Sequence, residues 1–192
     1  METASLRYTP PAYQSVPHPF VGQIVNLLML SNDPVTMCLD VAGGMASIGD
    51  YVQAYACHNG LNQQWKVEAA PLSAGSLATH DLRILRTRSD LVMFRSMKNP
   101  SVCLDVRGAT ANGGEAVQVF TCHGERNQAF SLPRPNAGSP SPTTGPIKTE
   151  VSGFTMALDA GTPLQPWVLQ KVWNQTARQH WGFQPAGTGT RL

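Results

Sequence analysis

Apolar residues along this chain come in short runs of strand length, separated by glycine, proline and uncharged polar residues. Thr36–Val41, Tyr51–Ala56 and Gln64–Val67 are such runs, and each has a counterpart further on. A further run precedes each group, at Gln23–Leu28, Leu91–Ser96 and Ile147–Val151. Runs of this length, bounded by turn residues, read as strands. Gly43-Gly44 and Gly113-Gly114 punctuate them as turns between antiparallel strands require.

The pattern repeats. Met37–Trp65 and Val102–Phe130 superpose without gaps at an offset of 65 and are identical at 13 of 29 positions, which marks an internal duplication. A third, more diverged copy follows in Ala157-Leu158-Asp159-Ala160-Gly161, Val168–Val172 and Gln179-His180-Trp181. It is three residues shorter, with 22 positions from Asp159 to Trp181 where Asp40 to Trp65 takes 25. Four strands per copy predict about twelve, and a single copy cannot bury its own apolar face, so the three must share one core.

Composition agrees. Seventeen glycines and 15 prolines in 192 residues are too much punctuation for a helical bundle, while 42% hydrophobic residues are too many for a disordered chain. Fourteen basic against 12 acidic residues leave a net charge of +2, which argues against a nucleic-acid partner. No run reaches the ~18 apolar residues of a membrane span, so no membrane insertion is expected. The Pro-rich segment 1–19 has no apolar core of secretory length. The expectation is therefore a cytoplasmic protein, or one exported by a non-classical route. Residues 69–90 read as an insertion, and 133–146, with five prolines, as a surface linker.

Three ordered elements recur: Cys38-Leu39-Asp40-Val41, Gln53-Ala54-Tyr55-Ala56-Cys57 and Asn62-Gln63-Gln64-Trp65 in the first copy, and Cys103–Val106, Gln118–Cys122 and Asn127–Phe130 in the second. On these motifs the chain, over roughly residues 20–185, resembles the ricin B-type lectin family of Q-x-W repeat proteins. The resemblance implies an all-β fold, a β-trefoil of three four-strand repeats with pseudo-threefold symmetry. Six strands would close a barrel, three hairpins would cap it, and Trp65, Phe130 and Trp181 would sit at equivalent core positions. The domain would span 20–192, with repeats at about 20–68, 91–132 and 146–185.

The resemblance also implies one shallow sugar site per repeat. The first would use Asp40, Gln53, Tyr55, Asn62 and Gln63; the second, Asp105, Gln118, Phe120, Asn127 and Gln128. The chemistry suits the residue types. A carboxylate accepts charge-assisted hydrogen bonds from adjacent sugar hydroxyls, an amide both donates and accepts, and a ring stacks on the C–H face of a pyranose. Gln63 would brace the aspartate from behind, while Gln53 and Gln118 could instead pair with backbone. Asp40 and Asp105 lie between Leu and Val within predicted strands, where aspartate is depleted. The third copy keeps Asp159 and Gln179 but has Leu169, Lys171 and Arg178 at the Gln, aromatic and Asn positions, so its site is expected to be dead or altered. Trp167 and Trp173 stand nearby as substitute rings should that register be wrong.

Cys38 to Cys57 and Cys103 to Cys122 are both 19 apart, and both positions are lost together in the third copy, as Ala157 and Trp173. Joint loss is what paired residues show, so two disulfides are expected, with reduced thiols the alternative in a reducing compartment. His58 and His123 follow the second cysteine of each pair. Adjacent strand residues point to opposite faces, so neither Cys-His pair is expected to form a metal or catalytic centre. No catalytic residue, metal site or cofactor is expected. Arg83, Arg86, Arg88, Arg95 and Lys98, offset by Asp81 and Asp90, read as a solvated face, and the sequon Asn174-Gln175-Thr176 as unsupported without an export signal.

The function expected is a non-enzymatic lectin binding galactose- or N-acetylgalactosamine-type glycans of glycoproteins or glycolipids, with homodimerisation left open. The alternative is a β-trefoil protease inhibitor or interaction module acting through 69–90 and 133–146.

Overall fold

The computed structural model describes residues 20–26, 36–71, 91–132, 144–162 and 164–186. The N-terminal segment 1–19, most of the insertion (72–90), most of the linker (133–143) and the basic residues Arg83, Arg86 and Arg88 lie outside the described residues.

Twelve strands form among the described residues: β1 (Phe20–Asn26), β2 (Met37–Val41), β3 (Val52–Ala56), β4 (Trp65–Ala69), β5 (Leu91–Ser96), β6 (Val102–Val106), β7 (Glu115–Thr121), β8 (Phe130–Ser131), β9 (Lys148–Thr149), β10 (Met156–Asp159), β11 (Leu169–Val172) and β12 (Trp181–Pro185). The expected run Ile147–Val151 keeps only two strand residues. The Ser152 hydroxyl bonds to the Thr149 carbonyl and accepts from the Thr149 hydroxyl, turning the chain into a single 3-10 turn at Glu150–Ser152. No described helix is long and apolar enough to cross a membrane.

Strands β12, β1, β4, β5, β8 and β9 pair antiparallel in that order, and the bridge Gly145↔Trp181 closes the ring beside β9. Closure removes the open edges that a flat sheet would expose. The remaining strands form three hairpins, β2–β3, β6–β7 and β10–β11. This is the β-trefoil, with its pseudo-threefold axis along the barrel. In the hairpin turns Gly49 and Gly114 occupy matching places with φ near +90°, a conformation that L side chains rarely adopt. The duplication keeps glycine at both.

All three repeats feed one core. Trp65, Phe130 and Trp181 are fully buried at equivalent positions, among Ile24, Leu39, Phe94, Leu104, Ile147 and Leu158. The Trp65 indole N–H donates to the Leu39 carbonyl and that of Trp181 to the Leu158 carbonyl, both at 2.9 Å. Leu39 and Leu158 immediately precede Asp40 and Asp159, so these rings fix the hairpin strand that carries each aspartate. Phe130 fills the same space without the N–H. Arg95 is paired with Glu68 across β4 and β5, at 2.6 Å. Burial pushes the Glu68 carboxyl up, but hydrogen bonds and charge from Lys66 and Arg95 outweigh it and hold it below its ordinary value.

Candidate functional site

Each hairpin sets its aspartate opposite the Gln position of the return strand: Asp40↔Gln53, Asp105↔Gln118 and Asp159↔Leu169. The register expected for the third repeat is therefore correct. After each return strand the chain loops back through a 3-10 turn, Leu61–Gln63, Arg126–Gln128 or Ala177–Gln179, which carries the Asn-Gln pair or its Arg-Gln equivalent to the aspartate.

In the first repeat Asp40 is 2% exposed. Its Oδ1 accepts from Gln53 Nε2 at 3.0 Å, and its Oδ2 from Asn62 Nδ2 at 2.8 Å and Gln63 Nε2 at 2.9 Å. The second repeat reproduces this: Asp105 accepts from Gln118 at 3.0 Å, Asn127 at 2.8 Å and Gln128 at 2.9 Å. Gln53 and Gln118 thus bond the carboxylate rather than backbone. Gln63 and Gln128 are fully buried and bind from behind, so they shape the carboxylate without facing solvent. Tyr55 is 51% exposed and Phe120 40%, two residues along from Gln53 and Gln118 on the same strand face.

Two residues of the site were not anticipated as its members. The return strand ends at Ala56, so Cys57 and His58 do not obey strand alternation. Cys57 bonds to Cys38, Cys122 bonds to Cys103, and the histidine that follows turns toward the carboxylate. His58 Nε2 stands 3.5 Å from Asp40 Oδ2, and His123 Nε2 3.5 Å from Asp105 Oδ2. Nδ1 accepts from the Gly60 N–H in one copy and the Glu125 N–H in the other, which leaves the proton of the neutral ring on Nε2, facing the aspartate. The signal was the position itself, retained in both intact copies and replaced by Asn174 in the third. Burial raises the Asp105 carboxyl above its ordinary value, only partly opposed by Gln118, Gln128 and His123.

The third repeat differs in kind. Asp159, 1% exposed, faces Lys171 Nζ at 3.3 Å and Arg178 Nε at 4.0 Å, and accepts from the Gly161 N–H at 3.1 Å. Cations have replaced the amide donors, and Lys171 stands where a ring would be. Trp173 packs against His180 with centroids 5.2 Å apart and takes the cysteine position, its N–H bonding Thr155 as that of Cys57 bonds Thr36.

Each intact site is a buried carboxylate held by three amides and a histidine beside an exposed ring. A model of the ricin-type β-trefoil lectin domain matches residues 91–191, and a second, of the ricin-type β-trefoil lectin domain-like family, matches residues 28–118. The chain belongs to the ricin-type β-trefoil lectin family. Its domain is a carbohydrate-binding module. Among solved structures, the designed threefold-symmetric protein ThreeFoil is 22% identical, with 84% of this chain and 96% of that one covered, at a TM-score of 0.61. The Polyporus squamosus lectin bound to the epitope Neu5Aca2-6Galb1-4GlcNAc is 17% identical, covering 89% and 50%, at 0.62. A non-toxic homologue of type II RIPs from Momordica charantia, in complex with α-methyl-D-galactoside, is 18% identical, covering 86% and 48%, at 0.52. The lectin domain thus spans about half the length of these two natural chains. No curated protein sequence matches it.

Proposed function

We propose that this protein is a non-enzymatic lectin that binds galactose- or N-acetylgalactosamine-bearing glycans through two sites, centred on Asp40 with Tyr55 and on Asp105 with Phe120. The observation that carries this reading is the reproduction, in two repeats, of the same carboxylate with the same donors beside an exposed ring. A carboxylate so held has its orientation fixed before the sugar arrives, so hydroxyls of a pyranose seated on the ring meet a preorganised acceptor. His58 and His123, with Nδ1 on a backbone N–H and Nε2 toward the aspartate, add to the fixed polar frame around each carboxylate. The galactose preference draws support from the galactoside-containing ligands named for the two natural relatives. Shallow sites bind weakly alone, and two on one rigid body gain from multivalent glycans.

The test is a glycan array of the wild type, the two single variants Asp40→Ala and Asp105→Ala, and the double variant. Each single variant should lose most of the multivalent signal and the double variant all of it. Wild-type silence on every galactose-terminated glycan, or a double variant that binds as the wild type does, refutes the proposal.

A further inference from the structure

The three hairpins meet around the pseudo-threefold axis, and their contacts place one residue of each repeat beside the site of another. Tyr51, Ala116 and Trp167 are equivalent, each 14 positions before Trp65, Phe130 or Trp181. Tyr51 stands opposite Gln118, Ala116 opposite Leu169, and Trp167 opposite Gln53. Backbone bonds fix these crossings: Val119 N–H to Asp50 O at 2.9 Å, Val117 N–H to Val168 O at 2.9 Å, and Ala54 N–H to Pro166 O at 2.8 Å. Directly opposed residues of an antiparallel pair carry their side chains on one face. Three rows of three side chains therefore cross the hairpins: Asp40–Gln53–Trp167, Asp105–Gln118–Tyr51 and Asp159–Leu169–Ala116.

The distribution of rings along these rows is selective. The two rows with an amide-held carboxylate end in an aromatic ring, and the row whose carboxylate faces Lys171 ends in a methyl group. Trp167 is 40% exposed and Tyr51 36%, whereas Trp65 and Trp181 are fully buried, so the outer rings are not core residues. They touch each other with centroids 5.4 Å apart. The Arg107 guanidinium lies 5.5 Å from the Tyr51 centroid and bonds its hydroxyl. With strands ~4.8 Å apart, the end of a row stands about 10 Å from the carboxylate, beyond a pyranose seated on it.

We propose that Trp167, and Tyr51 held by Arg107 of the second repeat itself, form second subsites, each ring lent by the neighbouring repeat, that hold the next sugar unit of an oligosaccharide whose first unit occupies the Asp40 or the Asp105 site. The inference rests on the carbohydrate reading above and goes beyond it. It makes each site composite, recognising a disaccharide across a repeat boundary.

The test is calorimetric titration of the Asp105→Ala variant, which leaves the first site alone, with methyl β-galactoside, with lactose and with methyl Galα1-3Galβ, so that galactose stands at either end. One of the disaccharides should bind about three- to ten-fold more tightly than the monosaccharide, the worth of one aromatic contact. Adding Trp167→Ala should bring that ratio to about one. In the wild type, that disaccharide should protect tryptophan fluorescence from acrylamide more than methyl β-galactoside does, a readout that needs no variant to fold. An unchanged ratio, or parallel losses for all ligands, overturns the subsite and leaves the primary site standing. If methyl β-galactoside and both disaccharides fail to bind, the galactose reading falls and the subsite falls with it.

Discussion

Gln63, Gln128 and Gln179 offer a comparison within one molecule, since all three are fully buried at equivalent positions but hold different numbers of bonds. Gln63 makes four: to Asp40 at 2.9 Å and the Ala56 carbonyl at 3.0 Å, and from the His58 N–H at 2.7 Å and Gln23 at 3.2 Å. Gln128 makes four: to Asp105 and the Thr121 carbonyl at 2.9 Å, and from the N–H groups of His123 at 2.9 Å and Gly124 at 3.1 Å. Gln179 makes two, to the Val172 carbonyl and from the Asn174 N–H, both at 2.9 Å, and none to its aspartate. Leucine has nearly the shape of glutamine and none of its polar atoms. At about 1 kcal/mol for each neutral bond and about 2 for the one to a carboxylate, Gln63→Leu and Gln128→Leu should each cost about 5 kcal/mol and Gln179→Leu about 2. The gap of about 3 kcal/mol corresponds to a difference in Tm of about 6–12 °C in a domain of this size. Urea unfolding under non-oxidising, non-reducing conditions, with equal m-values across the series, reads it directly. Equal costs at all three positions would refute the reasoning, because the aspartate bond would then contribute nothing.

Glycan binding and stability should respond oppositely to acid at the second site. Asp105 titrates above its ordinary 3.8, so in the Asp40→Ala variant affinity should begin to fall while the pH is still above 3.8. A folded-state value raised above the unfolded one means that the group's stabilising contribution is full below 3.8 and lost as pH rises through the folded value. Comparing the unfolding of Asp105→Asn with its parent across that range isolates the contribution from Glu68. The lowered Glu68 value has the reverse sign, with stability present above 4.5 and lost as pH falls through its folded value. Affinity that stays flat down to pH 3.8 would count against Asp105 as the acceptor. Each disulfide closes a loop across a 19-residue separation, so reduction should cost about 3 kcal/mol per bridge in the loop-entropy model. Denaturant unfolding with and without dithiothreitol measures this, and the Cys38→Ala/Cys57→Ala pair should lose about half of the total effect.

Fold and candidate site were legible because duplication turns weak signals into strong ones. An Asp between Leu and Val is odd once; at the same register twice, beside the same Asn-Gln pair, it defines a site. Residues whose role depends on where the chain leaves regular structure were harder to read. His58 and His123 were assigned the face that strand alternation dictates, but the strand stops at Ala56, and the disulfide and the backbone bond to Nδ1 turn the ring inward. Trp167 and Tyr51 were hidden for a different reason. They belong by sequence to one repeat and by position to the next, and only the pairing of hairpins around the axis brings them beside Gln53 and Gln118.

The third repeat explains why its aspartate persists after its partners have changed. Asp159 is as deeply buried as Asp40, and a buried carboxylate without donors costs several kcal/mol, so loss of the Gln and Asn donors has to be offset. Lys171 and Arg178 supply that compensation from the aromatic and Asn positions themselves. The same exchange that keeps the charge tolerable takes away the ring and presents cationic donors where sugar hydroxyls would need an open acceptor. At the matching end of its row Ala116 offers no ring either. Leu169, Lys171, Arg178 and Ala116 thus all differ from their counterparts in one sense, and the third carboxylate is held by cations as a strut where the other two are held by amides beside a ring.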